Sequence, residues 1–328
     1  MRKKKKTRKY NSGILTITME PKKKILVTGA AGALAKKVID KLKKDYKIVA
    51  VDFRTKVDLG IPVESYKVDF NKRLFEDIFR EHHFDGIIHL GRISAQELNR
   101  FTRYNANVIG TRKLFDLARK YNVSKTLVMS TYFVYGASPY NPSLLDETTP
   151  LKASELTMDL VDSVELENLS TIYLYKHPEL NITVLRPCNI AGPGVRNTFS
   201  MLLSEKRSPV LWGFSPLMQF IHIDDMRDAI CTAFEKNIPG VYNVAPDDYI
   251  GFQDAIKAAG SSPIQIPSIP PRLTEAIAKF LNWKSFPVYL INYFKYPVII
   301  DGSLFSKTFN FKPKKTLSDI FTYYKSLK

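Results

Sequence analysis

The chain has 328 residues, of which 45% are hydrophobic, 12% aromatic and 25% charged. That is ample apolar surface for a core and excludes a mainly disordered protein. No run approaches the roughly 18 uncharged apolar residues of a membrane-spanning helix, and two isolated cysteines, Cys188 and Cys231, exclude a disulfide scaffold and argue against a zinc ribbon.

A cytoplasmic protein is the expectation, and the net charge of +17 has to be located before it is read as a nucleic-acid signal. Arg2, Lys3, Lys4, Lys5, Lys6, Arg8 and Lys9 carry seven of those charges, leaving +10 for the rest. Ile14-Leu15-Thr16-Ile17-Thr18 is too short for a secretory core, and a second methionine, Met19, precedes the first strand. Residues 1–20 therefore read as a basic, disordered tail, or as the product of an upstream start. An arm for nucleic acid or an anionic surface is the less favoured alternative.

From Lys23 the pattern becomes regular. Lys23–Thr28 has the form of a buried parallel strand, Gly29–Ala35 a glycine turn, and the residues to Lys44 an amphipathic helix with Ala35, Val38, Ile39 and Leu42 on one face. A second strand, Tyr46–Val51, ends in Asp52. Tyr66–Asp69, a helix over Leu74–Glu81 and the strand Gly86–Leu90 follow. Next come a helix over Asn105–Tyr121, the strand Thr126–Ser130, a helix near Leu156–Tyr175 and the strand Ile182–Arg186. Strands alternating with helices predict an α/β, Rossmann-type, doubly wound parallel sheet.

Past Pro187 the texture changes. Ala191–Leu217 is rich in Gly, Pro and Ser; prolines recur at Pro263, Pro267, Pro270 and Pro271; Phe280–Ile300 is aromatic but broken by Pro287 and Pro297. The expected division is a dinucleotide-binding domain of residues 21–190 plus 219–246, and a smaller substrate lobe of 191–218 plus 247–328. An interfacial membrane patch in the aromatic segment is the weaker alternative.

The turn Gly29-x-x-Gly32-x-x-Ala35 has a physical purpose in this setting. Gly29 permits the tight turn, Gly32 lets backbone approach a pyrophosphate, and Ala35 allows close helix–strand packing. The helix start, with Ala31, Ala33 and Leu34 around it, would offer free N–H groups to phosphate. Asp52, twenty residues past Gly32, is placed to grip a ribose diol and to repel a 2′-phosphate. NAD is therefore expected, while Arg54, beside Phe53, keeps NADP open.

In order along the chain stand Val27-Thr28-Gly29-Ala30-Ala31-Gly32, Val68-Asp69-Phe70, His89-Leu90-Gly91, Asn107-Val108-Ile109-Gly110-Thr111, Ser130-Thr131-Tyr132-Phe133-Val134-Tyr135-Gly136 and Leu185-Arg186-Pro187-Cys188-Asn189-Ile190. Phe220–Asp225 and Tyr242–Ala245 continue the series. With these segments the chain resembles the extended short-chain dehydrogenase/reductase family, the NAD-dependent epimerases and dehydratases of nucleotide sugars. The resemblance covers roughly residues 23–246. It implies that Asp69 and Phe70 hold the adenine, that Leu90, Gly91 and Arg92 run beside the pyrophosphate and ribose, and that Asn107 lies nearby. Ser130, Pro187, Asn189 and Ile190 would line the nicotinamide end, with Thr131 bonding substrate. It also implies a small-molecule substrate such as a nucleotide sugar, and a homodimer formed through two helices.

One departure matters most. The family's Tyr-x-x-x-Lys pair, the general acid/base and the cation beside the nicotinamide ribose, should follow the Ser-Thr block on the next helix. Counting back from Leu185-Arg186-Pro187 puts Asp159 at the Tyr position and Ser163 at the Lys position, and Met158–Asn168 contains neither residue type. A carboxyl group has a reference pKa near 4 against about 10 for a phenol, so Asp159 is a poor proton donor at neutral pH. Two readings stay open: an epimerase/dehydratase-like enzyme with altered chemistry through Thr131 and Asp159, and a non-catalytic NAD-binding sensor. The histidines show no metal-ligand spacing.

Overall fold

The computed structural model describes residues 22–55, 63–93, 99–268 and 288–328. The basic head, Pro270, Pro271 and the first part of the aromatic segment lie outside the described residues.

Short apolar strands and amphipathic helices alternate as the pattern demands: β1 Lys24–Thr28, α1 Ala33–Leu42, β2 Lys47–Asp52, β3 Glu64–Lys67, α2 Arg73–Glu81, β4 Gly86–His89. They continue with α3 Arg100–Tyr104, α4 Gly110–Lys120, β5 Thr126–Met129, α5 Ala153–Leu156, α6 Val161–Lys176 and β6 Ile182–Pro187. Beyond Pro187 come β7 Asn189–Ala191, α7 Thr198–Ser204, β8 Arg207–Leu211, β9 Leu217–Met218, β10 Phe220–His222, α8 Ile223–Lys236 and β11 Gly240–Val244.

Seven strands form one parallel sheet in the order β11-β6-β5-β4-β1-β2-β3. Successive side chains of a strand point to opposite faces. Ile25 and Val27 of β1 therefore join the apolar cluster containing Val38 of α1 and Ile230 of α8, whereas Leu26 joins Phe75 of α2, Leu114 of α4 and Leu166 of α6. Both faces of the sheet are covered, which is why these strands read as continuous apolar runs. Strand order reverses between β1 and β4, and the crevice beyond their carboxyl ends is where such sheets bind ligands.

Two helices differ from the expected spans. The helix expected over Asn105–Tyr121 begins at Arg100 and passes through a π-helical turn, Asn105–Ile109, in which the Gly110 amide donates to the Asn105 carbonyl. The helix expected near Leu156 is interrupted at Thr157, whose extended backbone (φ −155°) ends α5 and whose hydroxyl accepts from the Asp159 amide, so α6 proper starts at Val161. Among the described residues no helix is long and apolar enough to cross a membrane.

Candidate functional site

A cavity opens at the crevice between β1 and β4, lined by Gly29 and Gly32 of the first turn, Asp52 at the end of β2, Asp69 and Phe70 after β3, and Gly91 and Arg92 after β4. Phe53, Arg54 and Leu90 also reach it, and Ile93, Ala106 and Asn107 complete it. Of the residues proposed from sequence, these eleven of the cofactor set come together: Gly29, Gly32, Asp52, Phe53, Arg54, Asp69, Phe70, Leu90, Gly91, Arg92 and Asn107. Ala31, Ala33, Leu34, Ser130, Thr131, Pro187, Asn189 and Ile190 do not line it, nor do Asp159 and Ser163.

The two loops meet backbone to backbone. Gly29 has φ +66°, and a Cβ there would lie 2.5 Å from the Gly91 Cα. A Cβ on Gly91 would sit 3.0 Å from the Gly29 nitrogen. Gly32 is the N-cap of α1 and supplies no side-chain cap, so the first-turn amides keep their donors for a ligand. Asp52, 2% exposed, accepts from the Ala31 amide (3.0 Å) through Oδ2 and from the Arg54 amide (2.9 Å) through Oδ1. Each carboxylate oxygen retains a further lone pair for a ligand hydroxyl. The Arg54 side chain is largely exposed and lies 3.6 Å from Asp52. A glycine cradle, an uncapped helix start and a buried acid fit an adenosine diphosphate group.

A directed hydrogen-bond chain holds the Gly91 loop. The Thr111 hydroxyl donates to the Asn107 carbonyl (2.6 Å) and so accepts from His89 Nε2 (2.9 Å). His89 Nδ1 is then the acceptor for the Thr28 hydroxyl (2.7 Å), whose oxygen takes the Gly91 amide (3.2 Å). This arrangement needs a neutral imidazole, and complete burial supplies one by depressing the His89 pKa to about 4.

At Asp159 and Ser163, where the resemblance puts the acid/base pair, the side chains belong to an ionic network. Asp159 accepts from Arg100 Nε (3.0 Å), and Arg103 Nη2 donates to the Asp159 carbonyl (3.0 Å). Arg103, 2% exposed, also donates through Nε to Asp162 (3.1 Å), which takes Asn107 Nδ2 at 2.6 Å. Arg92 donates to the Ser163 hydroxyl. Asn107 spends the rest of its amide on both backbone groups of Ile93, each at 2.8 Å. Sequence reasoning missed Arg103, because a cation in a polar helical stretch reads as solvated. The cluster Asp159, Asp162, Glu165 and Glu167, in a stretch Met158–Asn168 that holds no lysine, was the available signal.

At the far end of β5 the Ser130 hydroxyl is buried with no hydrogen-bond partner among the described residues, and Thr131 Oγ1 accepts from the Phe133 amide (3.3 Å). Tyr132 donates to Asn189 Oδ1 (2.8 Å), Asn189 Nδ2 donates to the Gln219 carbonyl (3.0 Å), and burial pushes the Tyr132 phenol well above its usual pKa. That phenol is not a ready proton donor. Away from the cavity, Glu64, Glu81 and His82 bring ligand-type atoms within 4.8 Å of one another, although Lys24 Nζ and Tyr66 Oη already lie on the two His82 nitrogens at 3.3 and 3.1 Å.

Residues 25–245 match the model of the NAD dependent epimerase/dehydratase family. The chain belongs to that family. It is 22% identical over 312 residues to an uncharacterized protein of Mycobacterium tuberculosis, covering 92% of this chain and 83% of that one. It is 25% identical over 245 residues to the dTDP-D-glucose 4,6-dehydratase of Homo sapiens, covering 68% and 69%. Among solved structures, it resembles the Bacillus anthracis dTDP-glucose 4,6-dehydratase in complex with NAD (TM-score 0.72, 20% identity, 93% of this chain and 100% of that one). The Thermus thermophilus UDP-glucose 4-epimerase complex with NAD is similar too (TM-score 0.72, 17% identity, 92% and 98%). At such identities the structural likeness speaks for the fold, and function has to be argued from the site.

Proposed function

We propose that this family member binds NAD(H) at the β1–β4 crevice and lacks the tyrosine-based turnover of nucleotide sugars. The observation that carries this reading is the ionic network at the start of α6. Asp159 is paired with Arg100, and Ser163 accepts from Arg92, so neither position offers a phenol to donate a proton or an amine to stabilise it. Losing a positioned acid/base typically costs about 10²–10⁴ in rate. Asp52 favours NAD over NADP because its carboxylate would lie against a 2′-phosphate.

The supporting experiment is a thermal melt with NAD, NADH and NADP, paired with turnover assays on UDP-glucose and dTDP-glucose at pH 8. A ligand that binds only the folded state raises the melting temperature. NAD and NADH should therefore raise it more than NADP, with no product from either sugar nucleotide. No shift with any dinucleotide at millimolar concentration would sink the binding claim. The second reading, an enzyme with altered chemistry, is favoured by the unpartnered Ser130 hydroxyl beside Thr131. Robust turnover lost in Thr131→Val or Asp159→Asn would decide for it.

A further inference from the structure

We propose, building on the dinucleotide-binding reading above, that the site takes the adenosine diphosphate half of its ligand and that Arg92, held across the cleft by Ser163, ends the site before the nicotinamide half. Among the described residues the cavity is lined by Asp52 and Asp69, by the facing glycines Gly29 and Gly91, and by Arg92, Ile93 and Asn107. Ser130 and Thr131, at the carboxyl end of the next strand, β5, lie outside it.

The closing element is built from two adjacent links between the loop after β4 and the start of α6. Arg92 donates to Ser163. Ile93 is clamped through both its backbone groups by Asn107, which in turn bonds Asp162. Asp162 is itself fixed by the buried Arg103 guanidinium, whose Nη2 donates to the Asp159 carbonyl. Withdrawing a single partner from the buried Arg103–Asp162 pair strands the other, so Asn107 and with it Ile93, the neighbour of Arg92, are held in place. The π-helical turn at Asn105–Ile109 carries the Asn107 amide that grips Ile93 and Asp162 together. π-bulges of this kind recur at functional sites.

Arg92 also supplies charge. Arg92 lines the same cavity as Gly29 and Gly91, and a guanidinium forms strong, directional hydrogen bonds with phosphate oxygens. A diphosphate set at the uncapped start of α1 would have this cation at its far side. The ligand class is accordingly an adenosine nucleotide carrying a diphosphate, of which NAD, ADP-ribose and ADP are members.

Isothermal titration of the full chain with NAD, ADP-ribose, ADP and AMP tests this. ADP-ribose should bind within about threefold of NAD, and AMP about tenfold or more weakly than ADP. NAD binding more than about tenfold tighter than ADP-ribose would overturn the proposal while leaving the dinucleotide reading intact. Binding by none of the four would instead remove that reading itself. Ser163→Ala deletes one acceptor of Arg92 without touching the cavity wall, and NAD should then gain about fivefold or more over ADP-ribose. Arg92→Met, which keeps length and loses charge, should weaken ADP by about tenfold. An unchanged NAD to ADP-ribose ratio in Ser163→Ala, or unchanged ADP affinity in Arg92→Met, counts against Arg92 as the terminus.

Discussion

Replacing Gly29 with alanine separates backbone strain from the close approach of two loops, because a second glycine provides the comparison. Gly29 has φ +66° and Gly213 φ +79°. An L-residue in the left-handed region costs about 1–2 kcal/mol, and that part is common to both. At Gly213 nothing lies within 4 Å of the added Cβ. At Gly29 the Cβ would fall 2.5 Å from the Gly91 Cα, 2.6 Å from its nitrogen and 2.8 Å from the Leu90 carbonyl carbon, all main-chain atoms that cannot rotate aside. Forcing such atoms apart costs about 1–3 kcal/mol more. Gly213→Ala should thus lose about 1–2 kcal/mol and Gly29→Ala about 2–5 kcal/mol in urea unfolding. Since relief of the clash must push the Gly91 loop from the β1 turn, Gly29→Ala should also weaken NAD by about tenfold or more in calorimetry, with Gly213→Ala unaffected. If the two variants were equally stable and bound NAD equally, the approach of Gly29 to Gly91 would not be what shapes the cradle.

His89 should give the protein an acid limb: a base whose pKa falls on folding, here from 6.5 to about 4, contributes stability fully present above pH 6.5 and lost as pH drops towards 4. The loss amounts to about 3 kcal/mol at about 1.4 kcal/mol per pH unit, and His89→Leu should flatten that part of the urea midpoint against pH profile; an unaltered slope would place the imidazole in contact with water. Glu167→Gln leaves the buried Arg186 guanidinium, bonded to Glu167 Oε1 at 2.9 Å, without its counter-charge. Breaking a buried pair this way costs about 3–5 kcal/mol, and a change below about 1 kcal/mol by denaturant titration would show that Tyr135 and the Glu147 carbonyl suffice as its partners. Asp159→Asn removes the negative partner of Arg100 at the surface and should change stability by only about 0–1 kcal/mol, which circular dichroism melts can check.

The alternation of strand and helix, the glycine turn and the acid closing β2 were legible because each is a local pattern with a local cause. Ile25, Leu26 and Val27 are buried on both faces of the sheet, so they read as an unbroken apolar run. Gly29, Gly32 and Asp52 lie within one β–α–β unit, where spacing along the chain translates directly into position. The interruption at Thr157 was harder to see, since threonine is tolerated in helices and ends this one only through an extended backbone and its bond to Asp159. The π-helical turn at Asn105–Ile109 leaves no mark in a periodicity that continues on either side of it.

The surroundings of Asp159 and Ser163 were not legible in the sequence, and long-range pairing explains why. Counting back from Leu185-Arg186-Pro187 put Asp159, just before α6, and Ser163 where the resemblance expects Tyr and Lys, but the partners of this stretch are Arg92, Arg100 and Arg103, which stand 59 to 71 positions away along the chain. No helical or strand period connects such pairs. A lone Arg103 in a polar stretch looks solvent-facing until Asp162 and the Asp159 carbonyl take its donors, and Asp162 looks like an exposed acid until Arg103 reaches it. The consequence is physical: the glycine turns of the cavity are set by backbone geometry, whereas the network at the start of α6 depends on side chains meeting from distant parts of the chain. A chain can therefore keep the cradle while the residues opposite it change, and here the start of α6 is tied by ion pairs to Arg100 and Arg103 of α3 and by hydrogen bonds through Ser163 and Asn107 to the β4 loop.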